Sequence, residues 1–304
     1  MSSYNRIGVV TGANKVSLSL SLSLSLYIQH LSKKKIFHVQ QMLTMGVPFQ
    51  SKKGIGYAIV RQLALQHSAS NANKPTTPSL LVYLTARDQA RGEAALAEIK
   101  QDPQLKAAKA LVGDGGAVQI MFRQLDITDR ESLKKFVEGV REEHGGEDGG
   151  VDFVVNNAAI YLPGFDSEVV KTTLDCNYYS TMGASRAFLP LLKQNGRMVN
   201  VASTVGGLSY YPDALRDRFL ATQTEADVDA IMHDFQSAVD TGKEEESGFP
   251  KLAYEVSKAG LIGATRALAL AAKREGKGGV LINSCCPGYV KTDLNGRGKY
   301  FLFP

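Results

Sequence analysis

The sequence predicts an α/β protein built as a doubly wound parallel sheet in a single domain. Three observations predict it. Short apolar runs alternate with segments of helical spacing along most of the 304 residues, as in repeated strand–helix–strand units. Several runs are continuous rather than alternating, which marks strands covered on both faces. The first run, Ile7-Gly8-Val9-Val10, leads into a turn, Thr11-Gly12-Ala13-Asn14-Lys15, of the kind that opens a helix over a ligand's phosphates.

That turn is interrupted. Its continuation, Gly54-Ile55-Gly56-Tyr57-Ala58-Ile59-Val60, arrives only after residues 16–53, which differ in character. Joined across the gap, the chain reads TGANK–GIGYAIVRQLAL. Glycines in such a turn let the backbone approach a pyrophosphate at the helix N-terminus. Gly12, Asn14, Lys15, Gly54, Ile55 and Gly56 are therefore assigned to a dinucleotide's phosphates. A Gly-x-Gly triple alone is weak, since many are tight turns with no ligand. Its place between a strand and a helix strengthens it.

Residues 54–67 carry helical spacing, and a Pro/Ser/Asn-rich loop follows through Pro78. Strands are predicted at 80–86, 118–126, 151–157, 197–201 and 280–285. Helices are predicted from Arg87-Asp88 onward, over about 129–143, over 167–194 and over 254–275. Right-handed crossovers between these strands give a Rossmann-type sheet with the ligand at the C-terminal strand ends.

Composition narrows the function. The net charge is +5, but residues 16–53 hold five lysines and no acid, so the remainder is balanced. The chain thus gives no electrostatic case for nucleic acid. Three cysteines, two of them adjacent, make no disulfide framework, which fits a reducing, cytoplasmic compartment. No secretory leader or membrane segment is predicted, and no metal-ligand cluster is assigned.

Arg87 follows the second strand of the sheet, where an acid would bind ribose hydroxyls. A base there accommodates a 2′-phosphate, which points to NADP; the alternative is a solvated residue at a helix start. Asp126, in Leu125-Asp126-Ile127-Thr128, lies near the adenine, or else Asp126 or Thr128 caps the next helix. Tyr254 and Lys258 stand one helical turn apart. The lysine is expected to lower the tyrosine pKa, making it a usable general acid. With 12 tyrosines in the chain, about one such pair is expected by chance, so context must carry it.

The context is an ordered set: TGANK–GIG, Asn156-Asn157-Ala158-Ala159, Asn177, Ser203, Tyr254 with Lys258, and Pro287-Gly288 with Thr292. This set resembles the short-chain dehydrogenase/reductase family. Leu84-Thr85-Ala86-Arg87-Asp88, Val199-Asn200-Val201-Ala202-Ser203 and Cys285-Cys286-Pro287-Gly288-Tyr289-Val290-Lys291-Thr292-Asp293 are similar to its monomeric, NADPH-dependent carbonyl reductase branch. The resemblance implies reduction of aldehydes and ketones by hydride transfer. It implies that Tyr254 gives the proton, Lys258 holds the nicotinamide ribose, Ser203 polarises the carbonyl and Asn177 holds a water. It also implies that Asn157, Ala158, Pro287, Gly288 and Thr292 line the cofactor cleft, with Thr292 at the carboxamide.

Each residue has a plainer reading as well. Ser203 can be a strand-end hydroxyl, Asn177 a polar helix residue, Asn156 a bridge between strands. Cys285 and Cys286 read first as packed thiols and second as reactive ones. A non-catalytic NADP-binding or interaction protein is the alternative function, suggested by the broken turn. Residues 204–252 form an insert before the catalytic helix, with helical pattern at 224–239. In the branch it resembles, such an insert implies a monomer.

Residues 16–26 alternate Val or Leu with Ser, a period fitting a strand and excluding a membrane helix. A CT repeat encodes alternating Leu and Ser in any frame. Val16-Ser17 can be read from GTAAGT, an intron's donor consensus, and Lys53 from AAG, an acceptor's ending. Residues 16–53 are therefore expected to be translated intron, disordered or looped out. Gly298-Lys299-Tyr300 repeats the donor signature, so the last strand of the family's sheet is expected to be missing.

Overall fold

The computed structural model describes residues 4, 6–13, 16–20, 49–70, 79–145 and 150–288. In its first half the chain forms β1 (Arg6–Val10), β2 (Val16–Leu20), β3 (Phe49–Lys53), α1 (Ile55–Ser70), β4 (Leu80–Ala86), α2 (Gln89–Ile99), α3 (Pro103–Ala107), β5 (Val118–Gln124) and α4 (Arg130–His144). There follow β6 (Val151–Asn156), α5 (Ser167–Leu174), α6 (Thr181–Phe188), β7 (Leu192–Val201), α7 (Asp213–Ala221), α8 (Glu225–Asp240), α9 (Ala253–Arg274) and β8 (Leu281–Cys285).

The apolar run of β1 becomes the middle of the sheet. Its order is β5-β4-β1-β6-β7-β8 among the described residues, and every pairing is parallel. The winding runs outward from β1 to β5, then restarts on the other side with β6. The switch point at the end of β1 opens a crevice there. Successive residues serve opposite faces: Val9, Leu81 and Tyr83 enter one core, and Val10, Val82 and Leu84 the other. All seven residues of β4 are buried, as the near-continuous apolar run Leu80–Ala86 predicts. Among the described residues no helix is long and apolar enough to cross a membrane.

Two local readings are corrected. The helix after β5 is capped by Asp129, whose side chain accepts from the Glu131 and Ser132 amides, not by Asp126 or Thr128. Asp126 instead accepts from the amide and hydroxyl of Thr128, at 2.9 and 2.7 Å, closing the turn before the cap. The helix expected over 167–194 breaks into α5, a π-helical turn over Asp175–Ser180, and α6, which ends at Phe188. Pro190 sits in the 3₁₀ turn that follows, and β7 begins at Leu192.

The insert before the catalytic helix is built, not loose. Thr224 and Asp227 form a reciprocal capping box at the start of α8. Val228, Ile231, Met232 and Phe235 of α8 are buried in the main core with Val256 and Ala264 of α9. Asp229 accepts the Tyr178 hydroxyl at 2.7 Å, tying α8 to the π-helical turn. α7 is a helix the sequence pattern did not mark.

The interruption of the turn has a definite form at its ends. β2 and β3 pair antiparallel from Val16↔Lys53 to Leu20↔Phe49. This stalk brings the two halves of the turn together. A Cβ built on Gly56 would lie 2.7 Å from Ala13 Cα and 2.9 Å from the Gly12 carbonyl oxygen.

Candidate active site

The turn is pinned from three directions. Thr11 donates its amide to the Val155 carbonyl and Ala13 to the Thr85 carbonyl. The Thr11 hydroxyl accepts from the Asn157 amide at 2.9 Å and the Ala158 amide at 3.1 Å. Asn157 Nδ2 donates to the carbonyls of Thr11 and Gly12. Asn157 therefore shapes the turn from within.

Gly12 has φ +62°, and a Cβ there would lie 2.7 Å from Ala158 Cα. With Gly56, whose Cβ would meet Ala13 and Asn157, it lets the backbone pack into a tight cradle at the first amides of α1. Those amides lack helical partners and attract anions. The residues present thus fit a dinucleotide pyrophosphate. Gly54 is buried and Ile55 half-buried at the same place; Asn14 and Lys15 lie outside the described residues.

Gly56→Ala is expected to destabilise the protein and weaken dinucleotide binding. The added methyl meets backbone, an overpacking cost of about 2 kcal/mol, against at most about 1 kcal/mol gained in helix propensity. Thermal melting and cofactor titration check this; a variant more stable than the parent would contradict the cradle.

At the end of β4, Arg87 is exposed. The neighbouring acid is engaged elsewhere: Asp88 caps α2, accepting the Arg91 amide at 2.8 Å. At this strand end Arg87 is thus exposed while Asp88 is spent on the helix cap. Asp126 is half-buried in the turn after β5.

Tyr254 and Lys258 lie on the first turns of α9. Lys258 is 2% exposed, and its Nζ donates to the Val201 carbonyl at 2.9 Å, two residues before Ser203. The same Nζ stands 5.5 Å from the Tyr254 ring centre. Ser203 follows β7 half-buried, and its hydroxyl accepts only a long 3.4 Å bond from the Val205 amide. Ser257 joins the group: its hydroxyl donates to the Tyr254 carbonyl at 2.6 Å and accepts from Asn177 Nδ2 at 3.3 Å. Sequence reasoning missed Ser257; its place three residues beyond Tyr254 was the available signal.

Asn177 is fully buried and its amide is committed. Oδ1 accepts the Ile160 amide at 2.8 Å, and Nδ2 donates to the Ile160 carbonyl at 2.9 Å. Asn156 bridges strands by donating to Asn200 Oδ1 and Ser185 Oγ at 2.8 and 3.0 Å.

The expected lowering of the Tyr254 pKa does not occur. Burial, then the charges of Cys286 and Glu255, push it up to about 12. Burial pushes Lys258 down to about 8, opposed by Cys176, Cys285 and Cys286. Both groups leave water, each charged form is penalised, and the ammonium spends a hydrogen bond on Val201.

After β8 the chain passes Cys286, Pro287 and Gly288, all half-buried. Cys286 Sγ accepts from the amides of Thr204 at 3.0 Å and Gly288 at 3.3 Å. This ties the Pro287-Gly288 segment to the residue after Ser203. Burial raises the Cys285 thiol to about 12 and Cys176 to about 11, which leaves them protonated at neutral pH. Thr292 lies outside the described residues.

A parallel sheet with a glycine cradle at its switch point and a Tyr/Lys pair across the crevice defines an oxidoreductase of the short-chain type. The pattern of a family described as short chain dehydrogenase matches residues 51–213 and 240–299, and the chain belongs to that family. The match starts beyond most of the interruption and skips most of α7 and α8.

Among individual relatives, carbonyl reductase [NADPH] 1 of Bos taurus is 32% identical over 254 residues, covering 81% of each chain. Carbonyl reductase [NADPH] 3 of Rattus norvegicus is 34% identical over 253 residues, covering 80% of each. The solved structure of salutaridine reductase from Papaver somniferum superposes with TM-score 0.66 over 96% of this chain and 89% of that one, at 23% identity. At that identity the likeness concerns the fold.

Proposed function

We propose that this chain reduces aldehydes and ketones to alcohols with NADPH. One observation carries the reading: Asn177, Ser257 and Tyr254 are joined by hydrogen bonds, and Lys258, beside the Tyr254 ring, is bonded to the strand end that leads into Ser203. Its relatives' printed names, carbonyl reductase [NADPH], support the substrate and the cofactor. When bound, NADPH supplies the hydride to the carbonyl carbon.

The chain's own residues do the rest. The cradle of Gly12, Gly54, Ile55 and Gly56 holds the pyrophosphate, and Arg87 takes the 2′-phosphate. Asn157, Ala158, Pro287 and Gly288 line the remaining cleft, with Asp126 near the adenine. The Ser203 hydroxyl donates to the carbonyl oxygen and orients it. Tyr254, whose raised pKa keeps it protonated at neutral pH, gives its proton to that oxygen as negative charge develops there. Lys258 supplies positive charge beside it and holds the nicotinamide ribose. Asn177, whose side chain also binds Ile160 and Ser257, holds the water in the proton path.

Arg87→Glu tests the cofactor assignment. Exchanging a charge-assisted phosphate contact for repulsion is expected to lower the preference for NADPH over NADH on the order of tenfold or more. The ratio of kcat/KM with the two cofactors measures it; an unchanged ratio removes Arg87 from the site. The chain acts as a monomer in this reading, because α8 buries its apolar side beside α9. Three free cysteines fit a cytoplasmic location.

A further inference from the structure

A tyrosine outside the proton path stands over the reacting centre. The Ile160 backbone is clamped at both its amide and its carbonyl by Asn177, which fixes the chain just before Tyr161. From there the Tyr161 ring meets the Tyr254 ring edge-on, with centroids 5.8 Å apart and planes at 71°. Yet Tyr161 remains 48% exposed. Leu252, two residues before Tyr254, is also 48% exposed. A large aromatic ring held against a catalytic group yet half left in water marks a surface meant to be covered. Nothing in the core needs Tyr161: neither hydrophobic cluster includes it.

We infer that Tyr161 is a specificity-determining residue whose ring packs against an aromatic or alicyclic ring of the substrate while the adjoining carbonyl reaches Tyr254. The inference rests on the carbonyl-reductase reading. It commits that reading to ring-bearing ketones and aldehydes over short aliphatic ones.

The test compares acetophenone with propanal on the full chain, for the parent, Tyr161→Ala and Tyr161→Phe. An aromatic pair contributes up to about 1.5 kcal/mol beyond area burial, which is about tenfold. Tyr161→Ala is therefore expected to lower the preference for acetophenone, as a ratio of kcat/KM, about tenfold, with the change carried in KM. Tyr161→Phe is expected to keep the parent's preference, since only the ring is required. Tyr161→Leu keeps bulk for folding while removing the ring, and carries the same expectation as Tyr161→Ala.

Equal losses on both substrates, or a fall in kcat at constant KM, would overturn the inference and leave Tyr161 as a support for Tyr254. A parent that prefers propanal would overturn it too, while leaving carbonyl reduction standing. A parent that binds NADPH and reduces neither compound overturns the functional reading first, and this inference with it.

Discussion

Tyr254→Phe is expected to lower carbonyl turnover roughly 10²–10⁴-fold, the usual worth of a positioned general acid, while NADPH binding is retained. The substitution removes one oxygen and keeps the ring, so the edge contact with Tyr161 and the position under Lys258 persist. The loss should appear in kcat rather than in KM, because the proton moves only as the carbonyl oxygen gains charge. Steady-state kinetics and a cofactor titration on the same preparation separate the possibilities. Retained turnover would assign the proton to another group, with Ser203 next in line. A chain that binds NADPH equally well with either residue and never turns over a carbonyl is a binding protein. Loss of both cofactor binding and melting temperature would show that the hydroxyl is structural.

The sheet was legible because its signal is local. Leu80–Ala86 is apolar but for Thr85, and a strand covered on both faces needs little else to announce it. The Tyr254/Lys258 spacing was legible for the same reason. The helix over 167–194 was overrun because its apolar residues continue into the 3₁₀ turn around Pro190 and the start of β7, and its division by a π-helical turn leaves no mark on that spacing. The sign of the Tyr254 shift was not legible. It depends on how deeply both groups are buried and on the Val201 carbonyl, which comes from another strand. Asn177 was found by its place in a motif, but its partners, Ile160 and Ser257, are brought to it by the fold. Tyr161 carried no pattern at all; its meaning comes from its ring meeting that of Tyr254.

Joining Lys15 directly to Gly54, by removal of residues 16–53, is expected to stabilise the protein by about 3 kcal/mol. That figure is the entropy of holding together the ends of a loop this long, and it is an upper value. The β2–β3 stalk offsets part of it through its five register pairs, from Val16↔Lys53 to Leu20↔Phe49, but a two-stranded hairpin by itself is marginal in water. The consequence reaches the site because the stalk is the only covalent route between Ala13 and Gly56, whose close approach forms the cradle. When the stalk opens, Gly12 stays pinned by Asn157 and α1 stays packed in its core beside Val10 and Ala13, but the chain between Ala13 and Gly56 is no longer held to the close approach the site needs. The shortened chain keeps the site assembled through a tight turn, so NADPH affinity is expected to rise at least tenfold, about 1.4 kcal/mol, and carbonyl reduction with it. Urea denaturation, NADPH titration and steady-state rates on both forms give the comparison. Equal affinity with higher stability would mean that the stalk rejoins the turn completely and burdens only folding. Equal values throughout would defeat the idea that residues 16–53 are foreign to the fold, and an uninterrupted exon across them in spliced messages would defeat their origin as intron.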